Sequence, residues 1–84
     1  MSKYIYAVTT NRAENGKLYA EAIRIRGDVN LADILRDCKN ILTFNVMPSK
    51  AKAVELAMFW DDAFRANGTA YFDRNYADRI TKWN

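Results

Sequence analysis

The 84-residue chain contains no histidine, one cysteine, one proline and three glycines. Each scarcity closes off a kind of chemistry. Without histidine, and with Cys38 as the only sulfur nucleophile, a zinc site would have to be assembled from carboxylates, which is not how zinc is usually held. Nor is there an imidazole to activate a serine, threonine or cysteine. A lone cysteine forms no internal disulfide. Gly16, Gly27 and Gly68 stand far apart, so no glycine-rich phosphate loop can be built. No apolar run reaches the length of a signal peptide or a membrane span. These absences lead us to expect a cytoplasmic protein with no cofactor and no metal, which is not an enzyme and has no membrane partner.

Half of the residues are hydrophobic and 13% are aromatic, ample for one folded core and too few residues for two. The expectation is a single domain over 1–84. The net charge of +3 is local: residues 1–27 hold Lys3, Arg12, Lys17, Arg24 and Arg26 against Glu14 and Glu21, 5 − 2 = +3, the whole-chain excess.

Tyr4, Tyr6 and Val8 alternate with Ile5, Ala7 and Thr9, and a second alternating run from Lys17 to Arg26 follows Asn15-Gly16, the dipeptide of a type I′ turn. A two-residue turn pairs Val8 with Ile23 and Tyr6 with Ile25. It puts Tyr4, Tyr6, Val8, Ile23 and Ile25 on the core face, and Lys3, Ile5, Ala7, Thr9, Arg24 and Arg26 on the outer face. Asn30 then caps a short helix with Leu31, Ile34, Leu35 and Cys38 at helical spacing, where Cys38 reads as buried filler. Ile41 to Met47 reads as a third strand, stopped by Pro48 because proline lacks the ladder N–H.

Ser49 caps a longer helix to about Asn67, with Ala53, Leu56, Ala57, Trp60, Ala63 and Phe64 as its apolar stripe and Gly68 as its left-handed stop. Thr69 to Phe72 has strand propensity, and Asp73 is placed to cap a last helix carrying Tyr76, Ile80 and Trp83. The whole reads as an α+β domain with a small antiparallel or mixed sheet, ββαβα order, helices on one face and a short C-terminal strand or helix.

Asp61-Asp62 is an acidic pair, but neighbours on a helix diverge by about 100°, so the two read as solvated charges. Two binding surfaces remain. Lys3, Arg12, Lys17, Arg24 and Arg26 would contact phosphates if the hairpin binds nucleic acid. Val54, Met58 and Phe59 flank the stripe of the long helix, where Tyr71, Phe72, Tyr76 and Trp83 either cover them or join them as an aromatic interface. Homodimerisation is a further outcome of the same surface.

Pro48-Ser49-Lys50, Ala53, Leu56-Ala57, Phe59-Trp60, Asn67-Gly68-Thr69 and Tyr71-Phe72 together resemble a group of small proteins carried by phages and other mobile elements of gut Firmicutes. The resemblance covers about residues 44–72. It departs at Asp61, where the group often has Asn, and at Phe64, where it often has Tyr. It implies a genetic setting and no mechanism. In that setting small non-enzymatic proteins are commonly inhibitors of host systems, anti-CRISPR proteins among them. The expectation is a protein that binds a host protein, such as a CRISPR effector, through Lys3, Arg24, Arg26, Phe59, Tyr71 and Tyr76. A nucleic-acid-binding hairpin is the alternative reading, and a self-assembling structural protein a third.

Overall fold

The structure, a computed structural model, describes residues 4–28, 30–37 and 40–80. Lys3, Cys38 and Trp83 lie outside the described residues. The chain forms a small α+β fold: β1 (Tyr4–Arg12), β2 (Leu18–Arg26), α1 (Leu31–Asp37), β3 (Ile41–Met47), α2 (Lys50–Ala66) and α3 (Tyr76–Arg79). The sheet order is β2-β1-β3, with both outer strands antiparallel to β1.

Local chemistry sets most boundaries. The Asn30 side chain accepts the Ala32 N–H at 2.9 Å and opens α1. Ser49, in extended backbone, accepts the Lys52 N–H at 3.2 Å and opens α2. At its other end the Asn67 and Gly68 N–H groups return to Ala63 and Arg65, and Gly68 takes φ +71°, a conformation an L side chain rarely adopts.

The hairpin differs from the two-residue turn its sequence suggests. Gly16 N–H donates to the Ala13 carbonyl at 2.9 Å, Ala13 N–H donates to Lys17 at 2.7 Å, and Gly16 alone in this loop has positive φ (+84°). This is a type I turn closed by a left-handed glycine, a loop with one residue more than a type I′ turn. Asn15 is not left-handed; its side chain accepts the Lys17 N–H at 3.0 Å. The extra residue moves the register by one, so Val8 pairs with Ala22, Tyr6 with Arg24 and Tyr4 with Arg26. Every β2 side chain changes face. Ile23 and Ile25 share a face with Ile5, Ala7 and Thr9, while Arg24 and Arg26 share one with Tyr4, Tyr6 and Val8, the reverse of the expected placement.

The corrected register explains how α2 seats. Val8, Ala20 and Ala22 from the sheet meet Ala53, Ala57 and Phe64 from α2 in one buried cluster, with Leu18, Met47, Leu56 and Trp60 packed around it. Facing alanines, small on both sides, let the helix seat closely on the sheet. The helix lies mainly over β2 and β1 and only marginally over β3.

Candidate functional site

The segment after α2 organises both the fold's closure and its concave surface. Leu18 N–H donates to the Thr69 carbonyl and Tyr71 N–H to the Leu18 carbonyl, each at 2.8 Å, forming a single parallel bridge between Leu18 and Ala70. Four residues along β2, the Ala22 N–H donates to the Tyr76 hydroxyl at 2.9 Å. The outer edge of β2 is thereby closed at two points.

Asp61 holds this closure in place. It is 1% exposed, one Oδ accepts the Tyr76 N–H at 2.7 Å, and the other accepts from Arg79 in a close ion pair. The Arg79 guanidinium also lies 4.1 Å over the Phe72 ring. The expected solvated Asp61-Asp62 pair is therefore corrected: only Asp62 is exposed. Asp61 follows Ala53 and Ala57 at i, i+4, i+8, squarely on the buried stripe, and that spacing is the readable signal for it. Tyr76, expected among the exposed anchors, is buried too, and its helix is the single turn Tyr76–Arg79.

Burial, the largest cause, pushes the Tyr76 phenol above its ordinary value of 10.0. The folded protein holds that proton more tightly than the unfolded chain, so the stability it contributes is complete below pH 10.0 and is lost as pH rises toward the folded value. Tyr76→Phe strands the buried Ala22 N–H, at a cost of about 1–3 kcal/mol. Denaturant unfolding across alkaline pH is expected to show that loss and a shallower alkaline decline than in the wild type.

At the hairpin end, closure brings three aromatics together. Tyr19, projecting from the sheet face opposite α2, lies 5.6 Å from Tyr71 and 5.7 Å from Phe72, and the latter two rings are 4.9 Å apart and edge to face. They line an open depression of about 820 Å³ whose rim carries Arg12, Glu14, Glu21 and Asn40. Asn40 donates to the Tyr19 hydroxyl at 3.3 Å. Burial first, and the Glu21 carboxylate second, raise the Tyr19 phenol above its ordinary value, so it stays a neutral hydrogen-bonding group at physiological pH. Tyr71 is 46% exposed, an aromatic held in place by its backbone and open to a partner.

The remaining candidates do not converge there. Phe59, 63% exposed on α2, borders a separate shallow depression with Met47, Lys52, Glu55 and Leu56. Val54 and Met58 pack against the core. Arg24 stacks 4.1 Å over the Tyr4 ring, and Arg26 pairs with Asp28 at 3.1 Å on the exposed surface. Lys17 is exposed near the hairpin tip, and Arg12, also exposed, does reach the depression, at its rim. Nothing in the sequence spacing brings Tyr19 to Tyr71; the contact depends on the chain after α2 returning to bridge Leu18.

No family model matches the chain, and no curated protein or solved structure matches it. Among the described residues no group of three or more acidic or cysteine side chains is placed to hold a metal ion, and no helix is long and apolar enough to cross a membrane.

Proposed function

We propose that the protein is a non-enzymatic accessory protein of a phage or mobile element that binds a bacterial host protein in the cytoplasm and inhibits it, as an anti-CRISPR, anti-defence inhibitor. The observation that carries the binding role is the Tyr19-Tyr71-Phe72 depression. Its floor is aromatic, its tyrosine hydroxyls are polar, and its rim mixes Arg12 with Glu14 and Glu21. Clustered aromatics beside charges of both signs suit a polypeptide surface, whereas two carboxylates at the rim oppose a phosphate backbone. The buried carboxylate Asp61, the group most open to a catalytic interpretation, spends both oxygens on Tyr76 and Arg79. The Firmicute mobile-element resemblance supports the setting, and with it the choice of host target. Expression in a Firmicute with active CRISPR immunity is expected to restore plating of a targeted phage. Unchanged plating against each effector type tested would remove the anti-CRISPR assignment.

A second reading rests on the observed register. Tyr4, 45% exposed, shares a face with Arg24 and Arg26, and Arg24 stacks on its ring, while Tyr6 on the same face packs against the core, so an aromatic and basic groups stand together at the end of the sheet, the combination nucleic-acid-binding sheets use. On this reading duplex affinity falls linearly on a log-log plot against salt, with a slope of about −0.9 per phosphate contacted, and Arg24→Glu makes the slope shallower. Absence of DNA or RNA binding at low salt would end it.

A further inference from the structure

The two edges of the sheet are treated unequally. The β2 edge is closed by the Leu18–Ala70 bridge and by the Tyr76 hydroxyl on the Ala22 N–H. The β3 edge has no hydrogen-bond partner among the described residues and lies at the end of the strand order. Natural edges are usually blunted by charge, proline or a covering segment. Yet β3 reads Ile-Leu-Thr-Phe-Asn-Val-Met with no charged residue, and Leu42 and Val46 are 49% and 56% exposed. The register shift that marks a bulge falls at its start, and the strand is regular from Thr43 to Met47.

We propose that this edge is a self-association surface, and that its occupant is β3 of a second copy of the chain, paired antiparallel about Phe44 into a continuous six-stranded sheet. The strand is a palindrome in polarity. Pairing about Phe44 sets Ile41 opposite Met47, Leu42 opposite Val46, and Thr43 opposite Asn45. Apolar meets apolar on both faces, polar meets polar on the face that carries Thr43 and Asn45, and Pro48 stays outside the ladder. Pairing about Asn45 would instead bring Pro48 opposite Leu42. A two-fold axis sets residue i against residue j and j against i, so a strand carrying charges of one sign would repel its own copy. This one carries no charge to do so. The ladder adds roughly six backbone hydrogen bonds, since alternate residues of an antiparallel pair exchange two each. The axis lies perpendicular to the sheet and keeps both α2 helices on one side, so the exposed Phe59 and the shallow depression beside Met47 and Leu56 lie on the same side of the joined sheet as their counterparts.

Sedimentation equilibrium from micromolar to near-millimolar protein tests this. The wild type is expected to dimerise, and a mixed sample of 13C-labelled and unlabelled chains to show intermolecular contacts between Leu42 and Val46 methyls. Val46→Lys changes an exposed position and enters each dimer twice, so a cost of about tenfold per site raises the dissociation constant about a hundredfold. Circular dichroism confirms that the variant is folded, and Leu42→Glu provides an independent variant with the same expected effect. A wild type that stays monomeric at the highest concentration, or a dimer that both variants leave unchanged, would overturn the proposal.

Discussion

Arg79→Ala is expected to lower the unfolding free energy by about 3–5 kcal/mol, because it leaves the Asp61 carboxylate buried beside the core without its counter-charge. For a domain of this size that corresponds to a fall in melting temperature of roughly 12 °C or more. Asp61→Ala is expected to cost less, about 2–3 kcal/mol, since it strands one buried N–H, that of Tyr76, while Arg79 keeps its Nε–H bond to the Arg74 carbonyl and its place over the Phe72 ring. The double variant should fall short of the sum, with a coupling of about 1–3 kcal/mol, because the two residues act as one contact. Urea unfolding measures all three, and native-state hydrogen exchange gives a local reading. The Tyr71 and Ala22 amides, bonded to Leu18 and Tyr76, should lose protection ahead of the centre of β1. Equal costs for the two single variants, with simple additivity, would show that Asp61 and Arg79 do not act as a pair.

On the proposed function, Tyr71→Ala is expected to weaken binding of a host protein by about 2 kcal/mol, near thirtyfold, the loss typical of truncating a central interface aromatic. Stability should fall by about 1–2 kcal/mol, because the truncation removes the ring contacts with Tyr19 and Phe72 but no contact of the core cluster. The bond that fixes residue 71 to Leu18 is a backbone bond and survives the truncation. Affinity is read by titration calorimetry against the purified partner, and stability by urea unfolding of the same preparation. Lost stability with unchanged affinity would make Tyr71 a packing residue. Unchanged affinity for Phe59→Ala in the same titration would separate the hairpin-end depression from the α2 surface.

The parts of the fold that local chemistry controls were legible in the chain. Ser49, Gly68, Asn30 and Pro48 act within one turn or one strand end, and the structure has α2, α1 and β3 starting or stopping where these residues stand. The hairpin register was not legible, because Asn15-Gly16 serves a type I′ turn and also the last two positions of a three-residue loop. The choice between them exchanges Ile23 and Ile25 for Ala22 and Arg24 on the face of the sheet that carries α2. Tertiary packing decides it: Ala53 and Ala57 need small partners, and Ala20 and Ala22 supply them.

The candidate site was legible only in fragments for the same reason. Tyr71 and Phe72 stand out by composition, but Tyr19 joins them only when the chain after α2 returns to pair with Leu18, a contact across about fifty residues of sequence. The spacing of Ala53, Ala57 and Asp61 marks Asp61 as facing inward but not what it meets, and Tyr76 looks like a surface group until Asp61 and the Ala22 N–H are brought to it. Burial of a polar residue is decided by its partners, and here they come from separate segments.

The most direct test of the central claim, that the aromatic depression binds a host protein, is a quantitative pull-down from Firmicute lysate. It compares tagged wild type with Tyr71→Ala, each with and without nuclease, by mass spectrometry. The expected result is a stoichiometric protein that survives nuclease with the wild type and is lost with Tyr71→Ala. Recovery of nuclease-sensitive nucleic acid alone, or of the same protein in equal amount on both baits, would contradict the claim.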